Sequence, residues 1–102
     1  MMEDQILSKN RVPVRLTNER WVHIVEEHCE LAGMRHEILE TVFDPTCILE
    51  GKAGELFAVR QCPDSRYLVV VYREFETDGF IITSFITSKS NSLKRRHQLW
   101  PK

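Results

Sequence analysis

At 102 residues the chain supports one modest hydrophobic core and not two, and its 42% hydrophobic and 28% charged residues are the composition of a folded globular protein, which excludes a disordered or collagen-like chain. A net charge of −1 excludes a uniformly basic nucleic-acid coat. The longest bulky apolar run, Tyr67 to Tyr72, falls far short of the roughly 20 residues that a membrane-spanning helix needs.

Residues 1–10 carry no periodic pattern and read as a flexible tail, followed by a single α+β domain over residues 11–102. Val12, Val14 and Leu16 alternate with Arg11, Pro13 and Arg15, a short strand that Pro13 confines to a sheet edge. Thr17 caps helix one, in which Trp21, Ile24, Val25 and His28 recur at i, i+3, i+4 and i+7 and which runs to about Glu30. After Gly33, the pattern Ile38, Leu39, Val42 and Phe43 marks a second amphipathic helix, stopped by Asp44-Pro45. The period then changes. Thr46 to Glu50 and Glu55 to Gln61 flank Gly51-Lys52-Ala53-Gly54 as a hairpin, and Cys62-Pro63-Asp64-Ser65 is the next turn. Tyr67 to Arg73 is a β-branched, aromatic strand whose unbroken apolar character predicts a central position. Asp78-Gly79 turns the chain into the last strand, Phe80 to Ser88, and Ser90 or Asn91 caps a short basic helix. The expected architecture is two N-terminal helices packed on one face of a four- to five-stranded antiparallel sheet. Period two assigns Phe80, Ile82, Ser84 and Ile86 to the core face and Ile81, Thr83, Phe85 and Thr87 to the opposite one.

The charge is unevenly placed. No Asp or Glu follows Asp78, so Lys89, Lys94, Arg95, Arg96 and Lys102 give the part from Gly79 onward +5 and leave the preceding part at −6. Such an end can hold phosphate groups, or it can be an ordinary solvated helix. Met1 to Gln5 lacks the positive start and apolar core of a secretory signal, and Cys29, Cys47 and Cys62 are odd in number with no C-x-x-C pair. A reducing compartment, the cytoplasm, is therefore the expected location.

No Walker loop, dinucleotide fingerprint, H-E-x-x-H or G-x-S-x-G is present. The candidates for proton transfer are histidines, since imidazole titrates near neutrality. His28 falls at the end of the apolar stripe of helix one, where it is either a core-edge residue or a group at the sheet rim. His23 shares a polar face with Glu27, which fits either a raised proton affinity or an exposed helical ion pair. Arg73 ends the central strand, a place from which a guanidinium can take a phosphate bidentately. On the last strand, Thr83 and Thr87 offer hydroxyls and Phe85 a stacking platform for a nucleobase, with Lys89, Lys94, Arg95 and Arg96 close behind to track a phosphate backbone. The same face can instead be covered by a partner or by Leu99-Trp100-Pro101. A zinc site from His23, His28, Cys29 and Cys62 can be drawn, but its spacing matches no common ligand pattern, and no metal is expected.

The order of these segments carries a resemblance. A helix with a terminal histidine, then Val42-Phe43-Asp44-Pro45, Arg66-Tyr67-Leu68-Val69-Val70-Val71-Tyr72 and Ile81-Ile82-Thr83-Ser84-Phe85 resembles the barnase, EndoU, colicin and RelE ribonuclease superfamily, in its phage-associated branch, and is similar to BrnT-type toxins. The resemblance spans about Val14 to Pro101. It implies cofactor-free, metal-independent cleavage of RNA by a toxin that a cognate antitoxin neutralises. By position it gives His28 the helix-one histidine, Arg73 the strand arginine, and Thr83 and Thr87 the last-strand hydroxyls. BrnT-like toxins place basic side chains on the last strand, where this sequence has Phe85-Ile86. Either the cationic role moves to Arg73 and the Lys94-Arg95-Arg96 run, or the chemistry differs, or the protein is a noncatalytic RNA- or protein-binding module on the same fold.

Overall fold

In the computed structural model, which describes residues 3–102, the chain opens as an antiparallel pair, β1 (Glu3–Leu7) and β2 (Pro13–Thr17). The expected tail over residues 1–10 is corrected over Glu3–Leu7, where Ile6 and Leu7 pair with Val14 and Pro13 and extend the sheet by an edge strand; residues 1–2 of that expectation lie outside the described residues. Thr17 caps α1 (Asn18–Glu27) by accepting the Arg20 N–H at 3.1 Å. The helix ends at Glu27, three residues before the expected end, because beyond His28 the chain tightens into a 3₁₀ turn over Cys29–Leu31. α2 (Arg35–Phe43) follows and ends at Asp44, as the Asp44-Pro45 pair predicts. Among the described residues, no helix is long and apolar enough to cross a membrane.

The second half supplies β3 (Cys47–Glu50), β4 (Leu56–Gln61), β5 (Tyr67–Glu74) and β6 (Gly79–Thr87), then the five-residue α3 (Ser90–Lys94) and β7 (Gln98–Trp100). These strands join the first two in a seven-stranded sheet of order β1-β2-β6-β5-β4-β3-β7. The α+β class fits. The expected four to five strands become seven because β1 and β7 add an edge at each end, and the sheet is not wholly antiparallel because β2 meets β6 in parallel through Val14↔Gly79 and Arg15↔Phe80. Pro13 is accordingly not on an edge strand. It is the first residue of β2, where its missing N–H leaves no gap in the β6 ladder.

β5 takes the middle of the order, and apolar material covers both of its sides. Leu68, Val70 and Tyr72 point to the side covered by α1 and α2, where they join Val14, Leu16, Ile24, Ile38, Val42 and Ile81 in the main core. Val69 and Val71 point to the other side, with Leu49, Phe57, Val59 and the α3 residue Leu93. Phe43, assigned to the α2 stripe by its spacing, is instead 54% exposed, and beside the buried Val42 the polar Thr41 is also fully buried, its hydroxyl donating to the Glu37 carbonyl.

One irregularity resets the parity of β6. Thr83 pairs with Val71 but Ile81 pairs with Tyr72, so Ile82 is an extra residue, a bulge. Ser84 and Ile86 face the helices, and Thr83, Phe85 and Thr87 face away, as alternation predicts. Below the bulge the assignment reverses: Ile81 is 1% exposed in the helix-side core, whereas Ile82 packs on the other face and Phe80 lies 6.0 Å, ring to ring, from the exposed Phe75.

Candidate functional site

The side of the sheet opposite α1 and α2 collects most of the residues singled out by the sequence. Pairing arranges them in rows across the strands. Thr87, Tyr67 and Gln61 form the first; Phe85, Val69, Val59 and Cys47 the second; Thr83, Val71, Phe57 and Leu49 the third; Phe80 and Arg73 the last. Leu93 roofs the β3–β4 half of this face, while Phe85, Tyr67, Thr83 and Thr87 remain half-buried on the β5–β6 half.

His28 reaches this face from the helix layer. β2 ladders β6 only at Gly79 and Phe80, so the later half of β6 has no partner strand on that side, and α1 ends against it. The His28 imidazole, 32% exposed, lies 6.4 Å from the Phe85 ring at a 41° tilt, and its Nδ1 stands 3.9 Å from Glu30 Oε2. His23 goes elsewhere. It sits on the solvent face of α1 with Nε2 3.4 Å from Glu27 Oε1, the exposed i,i+4 pair that its spacing allows.

Arg73 shares the face but not the neighbourhood of His28. It lies four residues along β5 from Val69, the partner of Phe85, which is a separation of about 13 Å. Its Nη2 donates at 2.8 Å to the carbonyl of Ala53, in the β3–β4 hairpin. That hairpin turns through Gly54 at φ +88°, and a Cβ there would meet Arg73 Nη1 at 3.4 Å. The two hydroxyls expected to look outward are both constrained: Thr83 Oγ1 is buried with no hydrogen-bond partner among the described residues, and Thr87 Oγ1 accepts the Lys89 N–H at 3.0 Å.

The C-terminal cations divide. Arg96 stacks its guanidinium 4.2 Å above the Phe57 ring and donates to the Glu50 carbonyl, which fixes it over the sheet. Lys94 stands beside it at the mouth of a pocket of about 270 Å³, whereas Lys89 and Arg95 lie on the far side of α3, around a separate exposed depression. Sequence reasoning missed the pocket: of its lining it singled out only Lys94 and Arg96 as site residues, and not Cys47, Tyr67 or Gln98. The parity of β5 could have put Tyr67 on the outer face with Val69 and Val71, but no local signal places the C-terminal Gln98 beside them. It also missed Glu55, whose carboxyl is held below the usual range chiefly by the Ala53 backbone N–H, with the charges of Arg73 and Arg96 adding less.

Among the described residues, no group of three or more His, Cys, Asp and Glu side chains is placed to hold a metal ion, so His23, His28, Cys29 and Cys62 are not brought together. The arrangement offers one imidazole beside an aromatic platform, with cations at two separate borders of the face. No protein-family model, curated protein or solved structure matches the chain.

Proposed function

We propose that the outer face of the sheet takes RNA and that the protein is a metal-independent endoribonuclease, the toxin of a toxin–antitoxin pair. The observation that supports this reading is the position of His28: because α1 ends at the rim of the sheet, the imidazole stands beside Phe85 instead of inside the helix–sheet core. A base stacked on Phe85 brings its ribose toward His28. A ring nitrogen then takes the 2′-hydroxyl proton, the 2′-oxygen attacks the adjacent phosphorus to close a 2′,3′-cyclic phosphate, and the P–O5′ bond breaks. The imidazolium formed in the first step returns its proton to the leaving 5′-oxygen. Arg73, too distant to share that phosphate, binds a flanking one, as do Lys94 and Arg96.

The test is purified protein with total RNA in EDTA, beside His28→Ala and Arg73→Ala. Expected are a loss of about a hundredfold or more for the first, the scale of removing a general base, and about tenfold for the second, the scale of one charge-assisted contact. Undiminished cleavage by both variants rejects the assignment.

The second reading, a noncatalytic RNA-binding module, is favoured by the state of the other groups. Arg73 already serves the Ala53 carbonyl, the Thr83 hydroxyl is buried, and the Thr87 oxygen already accepts the Lys89 N–H. Under that reading RNA binds, yet induced expression leaves bacterial growth and bulk RNA untouched.

A further inference from the structure

The 270 Å³ pocket has a chemistry of its own. Val59 of the sheet and Leu93 of α3 line it with apolar surface, Tyr67 adds an aromatic ring, and Lys94 and Arg96 add two cations. No carboxylate lines it, and no carboxylate forms an ion pair with Lys94 or Arg96 among the described residues. Gln98 donates its Nε2 to the Pro101 carbonyl at 2.7 Å, which leaves the amide oxygen as an acceptor at the pocket edge. An apolar lining beside two cations that form no ion pair with a carboxylate suits an amphipathic anion, and an aromatic ring with one polar reader suits a heteroaromatic ring. Val59 lies two strands from Phe85 in the same row, so the pocket begins roughly 10 Å from the stacking platform.

We propose that this pocket is a subsite for one unstacked nucleotide, its base held against Val59, Leu93 and Tyr67 and its phosphate by Lys94 and Arg96. The proposal rests on the reading of the outer face as an RNA track and adds to it the place where one base is held. Cys47, whose thiol lines the same cavity, reports occupancy, and Cys62, which packs on the helix side of the sheet, is the reference.

The experiment follows iodoacetamide labelling of Cys47 and Cys62 by peptide mass spectrometry in the full chain. The ligands are 2′-O-methyl RNA hexamers, which lack the attacking hydroxyl and cannot be cleaved, and free AMP or UMP. Saturating hexamer is expected to slow Cys47 at least fivefold and leave Cys62 unchanged, and Tyr67→Ala to weaken hexamer binding about tenfold, the scale of one lost base–aromatic stack. Protection by the free nucleotides without hexamer binding supports the pocket and removes the RNA track. Hexamer binding, seen by fluorescence anisotropy, with Cys47 labelled at its free rate overturns the pocket and leaves the track standing. Protection by neither ligand overturns the proposal, and if Tyr67→Ala does not fold, the wild-type labelling decides alone.

Discussion

Replacing Tyr72 by Phe removes one oxygen from the centre of the molecule. Tyr72 is fully buried in the middle strand between Leu56 of β4 and Ile81 of β6, and its hydroxyl has no hydrogen-bond partner among the described residues. An unsatisfied buried hydroxyl disfavours the fold by about 1–3 kcal/mol, whereas losing the packing of one oxygen gives back a fraction of that. Tyr72→Phe is expected to stabilise by about 1 kcal/mol at neutral pH, which raises the melting temperature by roughly 4–8 °C in a domain of this size. Burial, and after it the charge of Glu74, pushes the phenol well above its ordinary value near 10. The folded state thus holds that proton more tightly than the unfolded chain. Stability from this source is intact below about pH 10 and declines above it, at up to about 1.4 kcal/mol per pH unit, until the folded phenol itself ionises. Urea titrations of parent and variant at pH 7 and between pH 10 and 11 measure both effects, and the gap between the two proteins should widen with alkali. A variant destabilised by more than about 0.5 kcal/mol at pH 7, or one whose alkaline decline matches the parent's, refutes the picture of an unpartnered buried phenol.

Gly79→Ala is expected to destabilise by about 2–3 kcal/mol in the same titration, because a Cβ there overlaps the Arg73 carbonyl oxygen where β6 is flanked by both β2 and β5. Gly54→Ala forces a side chain into positive φ and should cost about 1–2 kcal/mol; equal stability would show that the hairpin turns another way. Arg15→Ala breaks the 2.7 Å pair with Asp78, but both partners are partly exposed, so chemical denaturation should register a loss below about 1 kcal/mol. NMR titration of Glu55 should find its midpoint below that of an exposed glutamate, and Arg96→Met should move it little, since the Ala53 N–H and not the arginine is the main cause.

Periodicity exposed what depends on one element alone. The Thr17 cap, the Ile24 stripe, the stop at Asp44-Pro45 and the centrality of Tyr67 to Arg73 follow from local sequence, and each is seen in the fold. What it missed depends on pairing between distant segments. Glu3–Leu7 has no strand signature of its own, with three polar residues before Ile6-Leu7, and becomes a strand only because β2 supplies a ladder. Gln98–Trp100 is equally short and rests on β3. The Ile82 bulge is invisible because Phe80, Ile81 and Ile82 are apolar alike, so no polar residue marks where alternation slips. The site was legible to the same degree. The outward parity of Phe85 could be read from alternation, but the approach of His28 could not, since it requires β2 to leave the later half of β6 free, and the stacking of Arg96 on Phe57 joins residues 39 apart in sequence.

The net charge of −1 describes neither side of this molecule. Residues 18–44, which build the helix layer, hold seven carboxylates against Arg20 and Arg35, whereas residues 79–102 hold five cations and no carboxylate, and Leu93, Lys94 and Arg96 among them lie over the opposite side of the sheet. The shortest dimension of the fold is 23 Å, more than twice the distance of about 8 Å over which physiological salt screens a charge. The two layers therefore do not neutralise each other's fields at their outer surfaces, and a polyanion meets a repelling side and an attracting one. Under the proposed reading, orientation is decided before contact, with the Phe85 face leading. If the outer face takes RNA as proposed, that attraction comes from few cations on a chain that is otherwise net acidic, so binding should weaken as salt rises, with a slope set by the handful of phosphates that Lys94, Arg96 and Arg73 can reach.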